Sequence, residues 1–223
     1  MHDVAIGGPR GSGQAPLRIS VLGAGHTGPV LARVLVDAGY SVSISASGDP
    51  EDIALIIELL APGARARWAA EAMTEADVVI LAIPLHHITD IDPECLVGKI
   101  VVDTMNYWPP IDGAQPLFDD PDLGSSEIVA NLLPGATVVK TLNHIGYHDL
   151  ADARRAPGTP DRRALGVASD EPDAVAIIAD VVEHIGYDAV RLPSLAAGRM
   201  LQPGGPVFGA ELRRNDFENE VLS

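Results

Sequence analysis

The sequence predicts an α/β fold, a doubly wound Rossmann sheet with a small C-terminal α/β domain, and three observations carry that expectation. Short apolar strands alternate with amphipathic helices along the chain. Residues 77–83 and 99–103 are largely apolar runs rich in β-branched side chains, which suits central parallel strands covered on both faces. A cluster of glycines stands where the first strand meets the first helix.

In order, residues 1–16 hold Gly7, Gly8, Gly11, Gly13 and two prolines without a long apolar core, so they read as a flexible tail rather than a signal peptide. Residues 17–22 alternate imperfectly and stop at the glycines, as a strand does. Residues 26–38 place Val30, Leu31, Val34, Leu35 and Ala38 on one helical face, with Gly39 as the stop. A second strand follows at 40–45. Asp49-Pro50-Glu51-Asp52 then opens a helix: a cap, proline at the first helical position, and acids facing the dipole. That helix carries 53–60 and ends before Pro62-Gly63. A weak strand at 64–68 and a short helix to Ala76 lead into the central strand at 77–83.

Residues 99–103 repeat the central-strand signature, and 137–141 do so more faintly. Between them, 108–122 is rich in Pro and Asp and reads as a long surface loop, and Ser125-Ser126-Glu127 caps a helix running to Leu133. Residues 150–163, with Pro157, Gly158 and Pro160, read as another loop. A strand at 164–168, an amphipathic helix at 172–185 ended by Gly186, and a strand at 188–192 complete the pattern. There is no internal repeat. The expected organisation is a tail at 1–16, a nucleotide-binding unit at 17–142, a smaller domain at 143–210 that shares its core, and an acidic tail at 211–223.

Composition narrows the function classes. Fifteen basic against thirty-one acidic residues give 15 − 31 = −16, which argues against a nucleic-acid or anionic-membrane binder. Aromatic residues are only 4%, so Ala, Val, Ile and Leu must build the core. Cys95 is the one cysteine, so no internal disulfide framework is possible, and the expected compartment is the cytoplasm. No apolar run approaches the roughly 20 residues of a membrane span.

Gly23-Ala24-Gly25-His26-Thr27-Gly28 is a GxGxxG, and its position between a strand and a helix matters more than the pattern alone. The first glycine makes the tight turn, Gly25 lets the backbone approach a pyrophosphate, and Gly28 lets helix and strand pack closely. Free amides at the helix start would hold the anion. An NAD site usually carries an acid about 20 residues on. Here the second strand ends in Ser45-Ala46-Ser47-Gly48, with no carboxylate before Asp49, which favours a 2′-phosphate and hence NADP. His86-His87 offers no metal site, because adjacent helical residues diverge by about 100° and no third ligand is spaced for it. His144 is either a general acid near the sheet's carboxyl edge or a plain surface histidine. No triad spacing or nucleophile elbow is present, so hydrolase chemistry has no support, and neither a catalytic side chain nor a metal ligand is assigned.

Further blocks give the chain a family likeness: Ala82-Ile83-Pro84-Leu85, Gly98-Lys99-Ile100-Val101-Val102-Asp103, Asn106-Tyr107-Trp108-Pro109 and Ser125-Ser126-Glu127. Val139-Lys140-Thr141-Leu142-Asn143, Pro160-Asp161-Arg162-Arg163-Ala164-Leu165 and Gln202-Pro203-Gly204 continue it. In this order, from about residue 17 to 209, they resemble the F420-dependent NADP oxidoreductases. The glycine block is common to many Rossmann proteins; the Asn-Tyr-aromatic-Pro, Pro-Asp-Arg-Arg and Gln-Pro-Gly blocks are more specific.

The resemblance implies a homodimer that exchanges hydride reversibly between NADP(H) and the 5-deazaflavin coenzyme F420. Carried over by position, Gly23 to Gly28 would hold the pyrophosphate. Ser45, Ala46 and Ser47 would meet the 2′-phosphate, and Ile83, Pro84 and Leu85 would border a riboside. Met105, Asn106 and Asn143 would surround the nicotinamide, and Met200, Pro203 and Gly204 the deazaflavin. The family's Ser-Arg after the second strand is here Ser47-Gly48, which removes a bidentate phosphate partner. Two other readings stand beside this one: an NAD(P)H-dependent reductase of a small imine, ketone or flavin, and a non-catalytic NAD(P)-binding redox sensor.

Overall fold

The computed structural model describes residues 17–222, so the expected tail at 1–16 lies outside the described residues. Eight strands form one sheet in the order β3-β2-β1-β4-β5-β6-β7-β8. They are β1 (Arg18–Leu22), β2 (Ser41–Ser45), β3 (Arg65–Ala66), β4 (Val78–Leu81), β5 (Ile100–Asp103), β6 (Thr137–Lys140), β7 (Ala164–Ala168) and β8 (Asp188–Leu192). The first six are parallel, and their order reverses direction between β1 and β4.

Alternation within each strand divides the core. Val78 and Ile80 face one side, with α1 (Thr27–Asp37) and α7 (Pro172–His184) packed over them and their neighbours. Val79 and Leu81 face the other, covered by α3 (Ala69–Glu75) and α5 (Ser125–Leu132). The cap on α2 (Pro50–Leu60) is the expected one: Asp49 Oδ1 accepts from the Glu51 N–H at 2.9 Å. The opening of α5 is shifted by one residue, with Gly124 as its cap, and its amide donates to Glu127 Oε2 at 2.7 Å.

β7 breaks the parallel pattern. It runs antiparallel to β6 through a single paired position, Lys140 with Ala168, the last residue of each strand. An antiparallel strand that pairs only at those ends must continue beyond β6, so β7 overhangs the carboxyl edge of the parallel strands. β8 pairs with it along its whole length. Residues 164–192 thus extend the same sheet and raise a wall beside its carboxyl edge.

Several elements differ from the sequence expectation. Within the region read as a loop from residue 150, a short helix, α6 (Tyr147–Asp152), buries Leu150. The 108–122 segment holds one turn of helix, α4 (Pro109–Asp112), and a 3-10 turn at Pro116–Phe118 that buries Phe118. The expected acidic tail at 211–223 is instead largely a helix, α8 (Arg214–Leu222). Phe217 and Val221, four residues apart, give it an apolar stripe buried against β7 and β8.

Candidate functional site

The reversal between β1 and β4 opens a cleft at the carboxyl edge of the sheet, where ligands of doubly wound folds bind. The glycine turn lines it. Gly23 has φ +114°, and its N–H donates to the Ser45 carbonyl at 2.8 Å, tying the ends of β1 and β2. A Cβ there would lie 2.2 Å from the Ala82 carbonyl oxygen after β4. At Gly28 a Cβ would lie 1.7 Å from the Gly23 oxygen, so helix α1 sits too close to the turn for any side chain. Gly25 is the contrast: it is exposed, and a Cβ would meet nothing within 4 Å. Two glycines are required by the protein's own packing; the third leaves a cradle open.

Around that cradle, Ala24 and Thr27 are half-buried, and His26 is exposed with its ring stacked on Tyr147 of α6 at 5.9 Å. At the end of β2, Ser45 is buried and its hydroxyl has no partner among the described residues, Ala46 is half-buried, and Ser47 and Gly48 are exposed. Of the two serines, Ser47 is the one open to solvent. After β4, Ile83 is half-buried and Pro84 exposed, whereas Leu85 is 3% exposed and packed into the core. His86 and His87 are exposed on the 3-10 turn Leu85–Asp90, where His87 Nδ1 lies 2.7 Å from Asp90 Oδ2.

The strand ends of β5 and β6 carry the densest polar network. Asn143 Nδ2 donates to Asn106 Oδ1 at 2.9 Å and to the Leu201 carbonyl at 2.5 Å. Asn106 Nδ2 donates to the Asn143 carbonyl at 2.8 Å. Met105, just before, is buried; Met200, Gln202 and Pro203 are half-buried, and Gly204 is exposed with φ +88°. Trp108 and Phe208 meet edge to face at 6.1 Å, so the segments after β5 and after residue 201 come together, as the sequence blocks suggest. Arg199 adds a further tie, donating to the Pro121 and Asp122 carbonyls at 2.8 and 3.0 Å.

Three charged or titratable groups lie buried behind the cleft: Lys140, Asp103 and His144. Lys140 is fully buried, its ammonium donating to Asp103 Oδ2 at 3.3 Å and to the Met105 carbonyl. Burial pulls its pKa down, against the opposing pull of Asp103. Asp103 in turn accepts from Ser126 Oγ at 2.6 Å and from the Met105 N–H at 2.8 Å. His144 corrects both readings made for it: it is neither exposed nor a proton donor. It is 2% exposed, and its pKa is lowered to about 3, first by burial and then by the charges of Arg163 and Lys140. Arg162 of the Pro-Asp-Arg-Arg block is also structural, pairing Glu183 at 2.8 Å and Asp188 at 3.0 Å away from the cleft. Among the described residues no group of three or more metal-ligating side chains converges. No helix there is long and apolar enough to cross a membrane.

Comparison with known proteins agrees with this architecture. Residues 18–107 match the family model for NADP oxidoreductase, coenzyme F420-dependent. A hypothetical protein from Sinorhizobium meliloti is 32% identical, with a TM-score of 0.75 over 89% of this chain and 96% of that one. A candidate F420-dependent NADP reductase from Arthrobacter sp. FB24 is 26% identical, with a TM-score of 0.69 over 82% and 87% of the two chains. A 3-hydroxyisobutyrate dehydrogenase from Mycobacterium tuberculosis shares the fold at 19% identity, with a TM-score of 0.59 over 83% of this chain and 57% of that one. No curated protein sequence matches the chain.

Proposed function

The chain belongs to the coenzyme F420-dependent NADP oxidoreductases, and we propose that it transfers hydride between NADP(H) and the deazaflavin coenzyme F420. The observation that carries the coenzyme half is the open cradle at Gly25, between two glycines that the fold itself requires. The amides of the turn and of the first residues of α1 would hold the pyrophosphate. Ser47 is the hydroxyl exposed for the 2′-phosphate, and Gly48 beside it leaves room without supplying charge. Asn106 would meet the nicotinamide end. The acceptor would lie between the segment after Asn106 and residues 202–204, beside the Trp108–Phe208 contact.

The chemistry asks little of the side chains. Bound NADPH supplies the hydride, so no protein nucleophile is needed; the protein binds, orients and excludes water. His144 is buried and held neutral, so it is not an imidazolium acid facing a product. His26, exposed at the glycine turn, is the titratable group of the cradle itself. The same family membership supports a homodimer, which sedimentation of the purified protein would test.

The direct experiment mixes the protein with oxidised F420 and excess NADPH. The visible absorbance of the deazaflavin should bleach, and Pro203→Trp should slow the bleaching while sparing NADPH binding. A glycine-to-tryptophan change at 204 would be a poorer probe, because φ +88° strains any side chain there. No bleaching across a range of pH at saturating NADPH would remove F420 as the acceptor. Turnover of imine, ketone or flavin acceptors in its absence would then identify a different reductase.

A further inference from the structure

We propose that Arg67 recognises the 2′-phosphate of the coenzyme, in place of the arginine that the segment after β2 lacks. The inference rests on the reading of the cleft as an NADP(H) site. A phosphate at the end of β2 would enter an acidic neighbourhood. From residue 34 to residue 64 the chain has no lysine or arginine, while Asp49, Glu51 and Asp52 crowd the opening of α2. Asp52 Oδ2 lies 3.7 Å from where a side chain at Gly48 would begin. A cation to oppose the phosphate must therefore come from another element.

The sheet brings one. β3 lies beside β2 in parallel register, Ser43 with Arg65 and Ile44 with Ala66. The Arg67 N–H donates to the Ile44 carbonyl at 3.0 Å, which carries the ladder one residue further and sets Arg67 beside Ser45 at the carboxyl edge. Neighbouring strands lie about 4.8 Å apart. Side chains alternate, so Arg67 and Ser45 share the face opposite Val42 and Ile44, which is the face that α3 covers. Leu85 and Ile88 of the turn after β4 pack on that same face. A riboside bordered by the ends of β2 and β4 would then have Arg67 at its flank. The guanidinium is only loosely engaged. It is 39% exposed, and its partners on α3, Glu71 at 3.8 Å and Glu75 at 3.5 Å, are more exposed still. Long, water-screened ion pairs of that kind hold little, so the fork can turn from them to a phosphate that it matches two bonds at a time.

Arg65 supplies the control, because it lies on the same strand and face but two residues back from the carboxyl edge. The readout is the affinity for NADPH against NADH, measured by calorimetry, since the two differ only in the 2′-phosphate. The wild type should prefer NADPH. Arg67→Ala should weaken NADPH about tenfold and leave NADH unchanged, whereas Arg65→Ala should leave both affinities as they were. Gly48→Arg added to Arg67→Ala should restore the preference by returning the charge from the other side of the phosphate. A preference kept intact in Arg67→Ala, or an equal weakening of both coenzymes, would make Arg67 a tie to α3 only and overturn the proposal. A loss in Arg65→Ala as large as in Arg67→Ala would show a diffuse field rather than recognition, and would overturn it as well. A wild type that binds NADH as tightly as NADPH would overturn it while leaving the dinucleotide site standing; binding of neither coenzyme would overturn both. Should Arg67→Ala fail to fold, Arg67→Gln carries the same test, because it keeps most of the stem and loses the charge.

Discussion

At the scale of the residue, the three glycines at 23, 25 and 28 have different roles, and substitution distinguishes them. Gly25→Val should fold, because a side chain there meets only open space, yet lose NADPH binding, because that is the space proposed for the pyrophosphate. Circular dichroism and calorimetric titration check both halves, and a folded variant with unchanged affinity would remove the turn from the site. Gly48→Arg should strengthen NADPH binding relative to NADH by about 1–2 kcal/mol through a charge-assisted pair. Asp52 Oδ2 lies 3.7 Å from where that side chain begins and would compete for it, so Gly48→Arg with Asp52→Asn should gain more. If NADH binds the native protein more tightly than NADPH, the 2′-phosphate reading is wrong. The glycines were legible in the sequence because their requirement is local, a turn between a strand and a helix. His144 and Lys140 were not. Their burial depends on Gly166, Phe217 and Gly198, which reach them only through the fold.

At the scale of the element, legibility followed the strength of local signals. Asp49-Pro50 announces α2 because a cap and a fixed φ act on neighbouring residues. The six residues of α6 are too few for periodicity to show, and Pro157 and Gly158 close by argue for a loop. α8 was hidden by its charges: Arg214, Asp216, Glu218 and Glu220 mask the apolar stripe of Phe217 and Val221 when composition is read alone. Those two positions are nonetheless what attaches it. Phe217 is 1% exposed, stands over Gly166 and lies 5.9 Å from the His144 ring. Phe217→Ala should cost about 3–5 kcal/mol by emptying that space. Urea unfolding should show the loss as a lower midpoint with little change in slope, and a change below about 1 kcal/mol would mean that α8 is not anchored there.

At the scale of the molecule, the order of the first six strands was foreseeable, since parallel strands joined by helices have few right-handed solutions. The reversal at β7 was not, because the long irregular connection after Lys140 does not encode a direction. Burial of His144 behind that reversal also makes the whole fold sensitive to acid. Its pKa is about 3 in the folded protein against 6.5 when unfolded. Above 6.5 the ring is neutral in both states and contributes nothing to the pH dependence. Below 6.5 the unfolded chain takes up a proton that the folded one refuses, so stability falls with a slope of up to about 1.4 kcal/mol per pH unit. Asp77, held below the ordinary carboxylate range by its hydrogen bond to Arg18, contributes only lower down, where acid protonates it. Urea midpoints of the wild type should therefore fall between pH 6.5 and 5, and His144→Asn should flatten that portion of the curve. An identical slope in the variant would show that the histidine is not buried as described.

The single pairing of Lys140 with Ala168 has a consequence for traffic through the cleft. Enzymes that shut around two coenzymes often do so by swinging one half of the molecule on a hinge. Here the wall and the floor are the same hydrogen-bonded sheet, and the buried Lys140–Asp103 pair lies close beneath the seam. A swing would have to tear that seam and expose the Lys140 ammonium, which is fully buried in the folded protein. On the proposed function, coenzymes would then come and go past the rim, by yielding of residues 108–122 and 202–209 where Trp108 meets Phe208. Exchange should follow the nanosecond-to-microsecond rhythm of loops rather than the slower one of domains, with the gate set by two aromatic rings and the frame beneath it standing still.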